Sequence, residues 1–154
     1  MQRPDDKRRR AFTLIEIMAV VVIIGLLMTI VGTRIVGVLR TGRITATRAQ
    51  LQSLETTLTT YSMDNGRYPT SEQGLRALIE KPTTAPEPYD WRAGGYLSKR
   101  EIPRDAWKAE FQYASPGEHN PDSFDLWSLG GDGKPGGVEE DADIGNWAEE
   151  KTAP

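Results

Sequence analysis

The residues best placed to do chemistry lie near the C-terminus. The stretch Gly130-Gly131-Asp132-Gly133-Lys134-Pro135-Gly136-Gly137-Val138-Glu139-Glu140-Asp141-Ala142-Asp143-Ile144-Gly145-Asn146-Trp147 crowds carboxylates into glycine-rich chain. Glycine loses the most conformational freedom on folding, and clustered carboxylates repel. A hard divalent cation offsets both costs. Calcium takes six to eight oxygens from carboxylates and backbone carbonyls in flexible geometry. The chain has no cysteine and its single histidine, His119, lies before the strand that precedes this stretch, so no soft ligand is nearby and calcium is favoured over zinc or copper. The spacing is not that of an EF-hand. The competing reading is a disordered acidic tail, which the bulky apolar Ile144 and Trp147 argue against.

A second candidate is His119 with Asp122 as an acid–base pair. Without a placed nucleophile it is weak grounds for a hydrolase, and no Gly-x-Ser-x-Gly turn is present. A third is Glu16, one acid inside an apolar run. It either reaches the interface from the helix end or has a cationic partner, such as an amine freed by cutting the chain just upstream, after Ala11.

The elements that must position these residues begin with that run. From Phe12 to Thr33 only Glu16 is charged. At about 1.5 Å per residue the run is long enough to cross a bilayer core of about 30 Å, and it has no wet face. The basic leader, with Arg3, Lys7, Arg8, Arg9 and Arg10, favours a cytoplasmic N-terminus, although Arg34, Arg40, Arg43 and Arg48 follow the run. The leader is not a standard secretory signal, because the apolar segment is too long and the candidate cut precedes it.

Helical character continues with Ile44, Leu51, Leu54, Leu58 and Tyr61 on one face. Asp64-Asn65-Gly66 stops the helix near Met63. Gly32, Gly37 and Gly42 are candidate weak points within it. Ser71 to Glu80 reads as a short helix ended by Lys81-Pro82. Trp91, Tyr96 and Leu97 are expected to pack back on the long helix. Phe111–Ala114 and Phe124–Leu129 read as an antiparallel strand pair across it. The expected fold is α+β, with a long N-terminal helix, half membrane-spanning and half amphipathic, on a small antiparallel sheet. The expected organisation is a leader at 1–11, a transmembrane helix at 12–33 and a globular domain at 34–154. From Ala49 onward acids outnumber bases, which sets nucleic-acid binding aside.

Lys7-Arg8-Arg9-Arg10-Ala11 followed by Phe12-Thr13-Leu14-Ile15-Glu16 resembles the class III signal of type IV pilins and type II secretion pseudopilins. The resemblance implies cleavage by prepilin peptidase between Ala11 and Phe12, where the family usually has Gly before the cut. It also implies N-methylation of Phe12, and pairing of Glu16 with the Phe12 amine of a neighbouring subunit. Asn65-Gly66-Arg67-Tyr68-Pro69-Thr70, Ser115-Pro116-Gly117-Glu118-His119, Asp125-Leu126-Trp127-Ser128-Leu129-Gly130-Gly131-Asp132-Gly133 and Ala142-Asp143-Ile144-Gly145-Asn146-Trp147 together are similar to the major-pseudopilin family of type II secretion. That family binds one structural calcium in its C-terminal loop. The resemblance implies Asp132 as a side-chain ligand. It draws the remaining ligands from the acidic run Glu139, Glu140, Asp141 and Asp143 and from carbonyls such as Leu129 and Val138.

The function implied is a structural subunit, not an enzyme. It would polymerise with itself into a periplasmic pseudopilus that helps drive folded proteins across the outer membrane. Its expected partners are prepilin peptidase, the minor pseudopilins, the inner-membrane assembly platform and the inner membrane, where it would sit as a single-pass protein with a periplasmic domain. The alternatives are an adhesive type IV pilin, which usually closes a C-terminal loop with a disulfide that this chain cannot form, and a membrane-anchored periplasmic hydrolase.

Overall fold

A computed structural model describes residues 12–147, with the side chains of residues 30–36 outside the described set. The chain divides into two compact units at Leu39 and Arg40. One helix, α1 (Leu14–Asn65), contributes to both and continues through Gly32, Gly37 and Gly42. In the first unit the helix opens at Thr13. The Thr13 hydroxyl accepts from the Glu16 backbone N–H at 3.3 Å, and Glu16 sits in the first turn, where the helix dipole favours an acid. The side chains from Phe12 to Thr29 are all exposed. Among the described residues no helix is long and apolar enough to cross a membrane. The expected span to Thr33 runs into residues 30–36, and the leader lies outside the described residues.

The second unit folds onto the apolar stripe of α1. Leu51, Leu54, Leu58 and Tyr61 are buried, with Ile44 packed at the edge of the same core. Thr47, one turn before Leu51, is fully buried as well, and its hydroxyl accepts from the Ala106 N–H at 3.2 Å. Three strands form an antiparallel sheet in the order β1 (Gln112–Ala114), β2 (Asp125–Ser128), β3 (Ile144–Gly145). Tyr113 lies opposite Leu126, and Ser128 opposite Ile144. Phe111, Phe124, Leu126 and Ile144 complete the core with α1.

The helix expected over Ser71 to Glu80 is instead a turn followed by one short 3-10 helix, Leu75–Leu78. Gln73 explains the difference. Its side chain accepts from the Thr70 N–H and donates to the carbonyls of Thr84 and Pro86, tying the turn to the next loop rather than extending a helix. Asn65, where α1 ends, works similarly. It donates to the Tyr61 carbonyl and the Tyr96 hydroxyl and accepts from the Asp90 N–H. Tyr96 lies 5.1 Å from the Tyr61 ring, as expected of a side chain packing back on the helix.

The third such hub is Asp125, buried at the start of β2. Its carboxylate accepts from the N–H groups of Glu118, His119 and Asn120, from the Asn120 amide, and pairs with His119 Nδ1 at 3.1 Å. Gly117 lets the loop wrap this closely, because a Cβ there would meet the Asp125 backbone nitrogen at 2.8 Å. Burial pushes the Asp125 carboxyl up, but the hydrogen bonds outweigh it and hold the group below the ordinary aspartate range.

Two outcomes are expected. Leu58→Ala should cost about 2–5 kcal/mol in denaturant unfolding, as a fully buried leucine does, whereas exposed Met63→Ala should stay within about 0.5 kcal/mol. Asp125 has a depressed folded pKa, so its contribution is fully present above the ordinary aspartate value of about 3.9 and is lost as pH falls through the lower folded value. Asp125→Asn should therefore lower the melting temperature at pH 7, and the gap to the parent should narrow steadily as pH falls below the ordinary aspartate value of about 3.9. A gap of constant size across that range would show that ionisation of Asp125 does not carry the effect.

A carboxylate loop clamped to the sheet

The acidic stretch is ordered from both ends. At its start, Ser128 donates to Asp105 Oδ2 at 2.5 Å and accepts from the Gly130 N–H at 3.2 Å. Asp105 is itself buried, and its other oxygen accepts from the N–H groups of Trp107 and Ala109. At its end, the Asn146 side chain accepts from the Leu126 N–H and donates to the Phe124 carbonyl. Trp147 stacks on His119 with ring centroids 4.0 Å apart and planes 7° from parallel. The stretch through Trp147 is thus part of the fold, not a solvated tail. His119 pairs with Asp125, not with Asp122, and this pair serves the clamp on the sheet. Beside the clamp, burial raises the Glu55 carboxyl on α1, against a hydrogen bond from Asn146 that lowers it.

Between the clamps the backbone folds back on itself. The Gly131 N–H donates to the Glu140 carbonyl at 2.8 Å, and the Asp143 N–H to the Gly136 carbonyl at 3.1 Å. Gly137 has φ +87°, and a Cβ there would collide with the Asp141 carbonyl group, so only glycine permits this approach.

The sequence-predicted ligands fall into two sets. Asp132 is exposed, with one oxygen accepting from the Lys134 N–H at 3.0 Å. Asp141 is half-buried, with Oδ1 2.8 Å from the position a Cβ on Gly131 would take. Asp143 accepts from the Gly136 N–H through Oδ2 at 2.9 Å, while its Oδ1 is buried with no hydrogen-bond donor. The Val138 carbonyl accepts from the Asp141 N–H, and Leu129 joins β2 to the loop. Glu139 and Glu140 ion-pair with Arg40 on α1.

Among the described residues no three Asp, Glu or His side chains converge as a metal-holding group. The donor set nonetheless fits a hard cation. It is all oxygen, the glycines bring carbonyls close, and a buried carboxylate oxygen without a donor is costly unless a positive charge faces it.

The sequence alone assigns no site role to Arg40, Thr47, Asp105, Ser128 or Asn146. Apart from Thr47, none of them follows a hydrophobic period. Only the position of Thr47 on the apolar stripe, between Ile44 and Leu51, signalled a buried role.

A family model for the type II secretion system protein G matches residues 34–147, and one for the prokaryotic N-terminal methylation motif matches residues 6–32. The type II secretion system core protein G of Pseudomonas aeruginosa is 44% identical over 147 residues, covering 96% of this chain and 99% of that protein. The protein of the same description from Dickeya chrysanthemi is 44% identical over 142 residues, covering 92% and 88%. The crystal structure of the major pseudopilin from the type 2 secretion system of enterohaemorrhagic Escherichia coli superposes with a TM-score of 0.63 at 41% identity, covering 73% of this chain and 92% of that one. Fold, motifs and relatives agree, and the chain belongs to the type II secretion protein G family, the major pseudopilins.

Proposed function

We propose that this pseudopilin is made as a membrane-anchored precursor, cut by prepilin peptidase between Ala11 and Phe12, and then polymerised into a periplasmic pseudopilus that helps push folded proteins across the outer membrane. As a member of its family the chain is a structural subunit and not an enzyme. The observation that carries the reading is the N-terminal methylation motif over residues 6–32, which brackets the basic leader, Phe12 and Glu16. The apolar run from Phe12 to Thr33 supplies the single-pass anchor, and the dense charge at Lys7 to Arg10 holds the N-terminus in the cytoplasm.

Cleavage exposes a new amine on Phe12, which becomes N-methylated. Glu16 lies one helical turn further on and pairs with the Phe12 amine of the adjacent subunit. Unpaired, a carboxylate among apolar helices is expensive, so the pair both selects and fixes the register of assembly. The minor pseudopilins and the inner-membrane platform are the further partners of this assembly.

The globular unit carries a structural calcium. Asp132, Asp141 and Asp143, with the carbonyls of Leu129 and Val138, are the residues that would hold it. The ion supplies the positive charge that a glycine-rich, carboxylate-rich loop lacks. Support comes from the donorless Asp143 Oδ1 and from the close backbone approach at Gly137.

Glu16→Leu should leave the protein in the membrane and abolish filaments; electron microscopy showing normal filaments would reject the pairing. Asp132→Ala should lower the melting temperature of the full chain in detergent when calcium is present, and change it little in chelator. The parent should gain about 2.7 kcal/mol at a hundredfold excess of calcium over its dissociation constant. Equal losses with and without calcium would mean that Asp132 serves packing and not the metal.

A further inference from the structure

The acidic loop already meets one cation, and it belongs to the chain. Arg40 on α1 ion-pairs with Glu139, and its Nε lies 3.5 Å from Glu140 Oε2. Glu139 is also in an unusual backbone state. Its φ is +56°, in the left-handed region that suits glycine and strains other residues. Gly136 and Gly137, just before it, take positive φ without that strain. A glutamate held there presents its carboxylate to Arg40 at the cost of local strain. Two independent observations therefore mark the same residue, a long-range ion pair and a strained backbone.

We propose that Arg40 is a positioning residue for this loop: its guanidinium takes up Glu139 and Glu140, ties the loop to α1, and leaves Asp132, Asp141 and Asp143 to calcium. The division between the two cations rests on the calcium reading above; the tie to α1 does not. A planar guanidinium suits this task, since it presents several donors in one fork and keeps its charge at any physiological pH. The side chains of Glu139 and Arg40 remain 69% and 36% exposed, so salt screens the tie.

The test uses the full chain in detergent. In chelator at low salt, Arg40→Gln should lower the melting temperature by roughly 3 °C. Glu139→Gln with Glu140→Gln should do the same, and all three together should cost no more than either. Arg40→Lys should recover part of the loss, and 1 M salt should shrink every difference. Additive losses in this cycle would overturn the tie.

Calcium titration then tests the division. The double glutamine variant should bind calcium within about threefold of the parent, while Asp143→Asn should weaken binding more than about tenfold, or 1.4 kcal/mol. Equal weakening by the two would overturn the division by making the glutamates ligands. A parent that binds no calcium would overturn both the division and the calcium reading, and the cycle in chelator would still decide the tie.

Discussion

The second unit depends on the stripe of α1 that runs from Thr47 to Tyr61. It is the apolar surface that the strands cover, and the three short strands cannot stand alone. A few-stranded sheet of two- to four-residue strands becomes stable only when its apolar face is covered. Leu54, Leu58 and Leu126 are fully buried because the sheet and α1 cover each other. Much of the rest is loop, and the chain has no disulfide with which to fasten loop to core.

Buried polar hubs do that fastening. Asn65, Gln73, Asp105 and Asp125 are buried and Asn146 is half-buried. Each ties its own segment to another, through the Asp90 N–H, the Thr84 and Pro86 carbonyls, the Ser128 hydroxyl, the N–H groups of 118–120 and the Leu126 N–H respectively. An unpaired buried N–H or carbonyl is costly, so each hub makes one loop path much cheaper than its alternatives. The Asp125 nest also explains why Ser115-Pro116-Gly117 must lie where it does, since only a residue without Cβ can approach that carboxylate so closely. Polar hubs replace cross-links here by making loop geometry a condition of hydrogen-bond satisfaction.

What was legible in the sequence was whatever had a period or a known punctuation. The apolar face of α1, its stop at Asn65-Gly66 and the two longer strands were readable, because spacing of three and four, glycine after asparagine, and alternation each have a local cause. The third strand was not. Ile144–Gly145 is too short for alternation to register, and its pairing with β2 is reinforced by Asn146, which accepts from the Leu126 N–H. The turn at Ser71 is hidden for a similar reason. Leu75, Leu78 and Ile79 have helical spacing, yet the hydrogen bonds of Gln73 to a loop more than ten residues away decide the backbone. The carboxylates were visible by composition, but the sequence could not divide them, because Arg40 lies 99 residues from Glu139.

That division bears on how such a loop can be stable at all. Five carboxylates, Asp132, Glu139, Glu140, Asp141 and Asp143, crowd a short glycine-rich path. Surplus carboxylates left unpaired would oppose folding by mutual repulsion. A basic side chain on the helix, Arg40, pairs with two of them, Glu139 and Glu140. The backbone strain at Glu139 has a use in this arrangement. It turns one acidic side chain toward Arg40 while Asp143, four residues on, keeps a buried oxygen without a donor. A single run of acids is thereby split by backbone geometry into one group that pairs with the helix and another that does not.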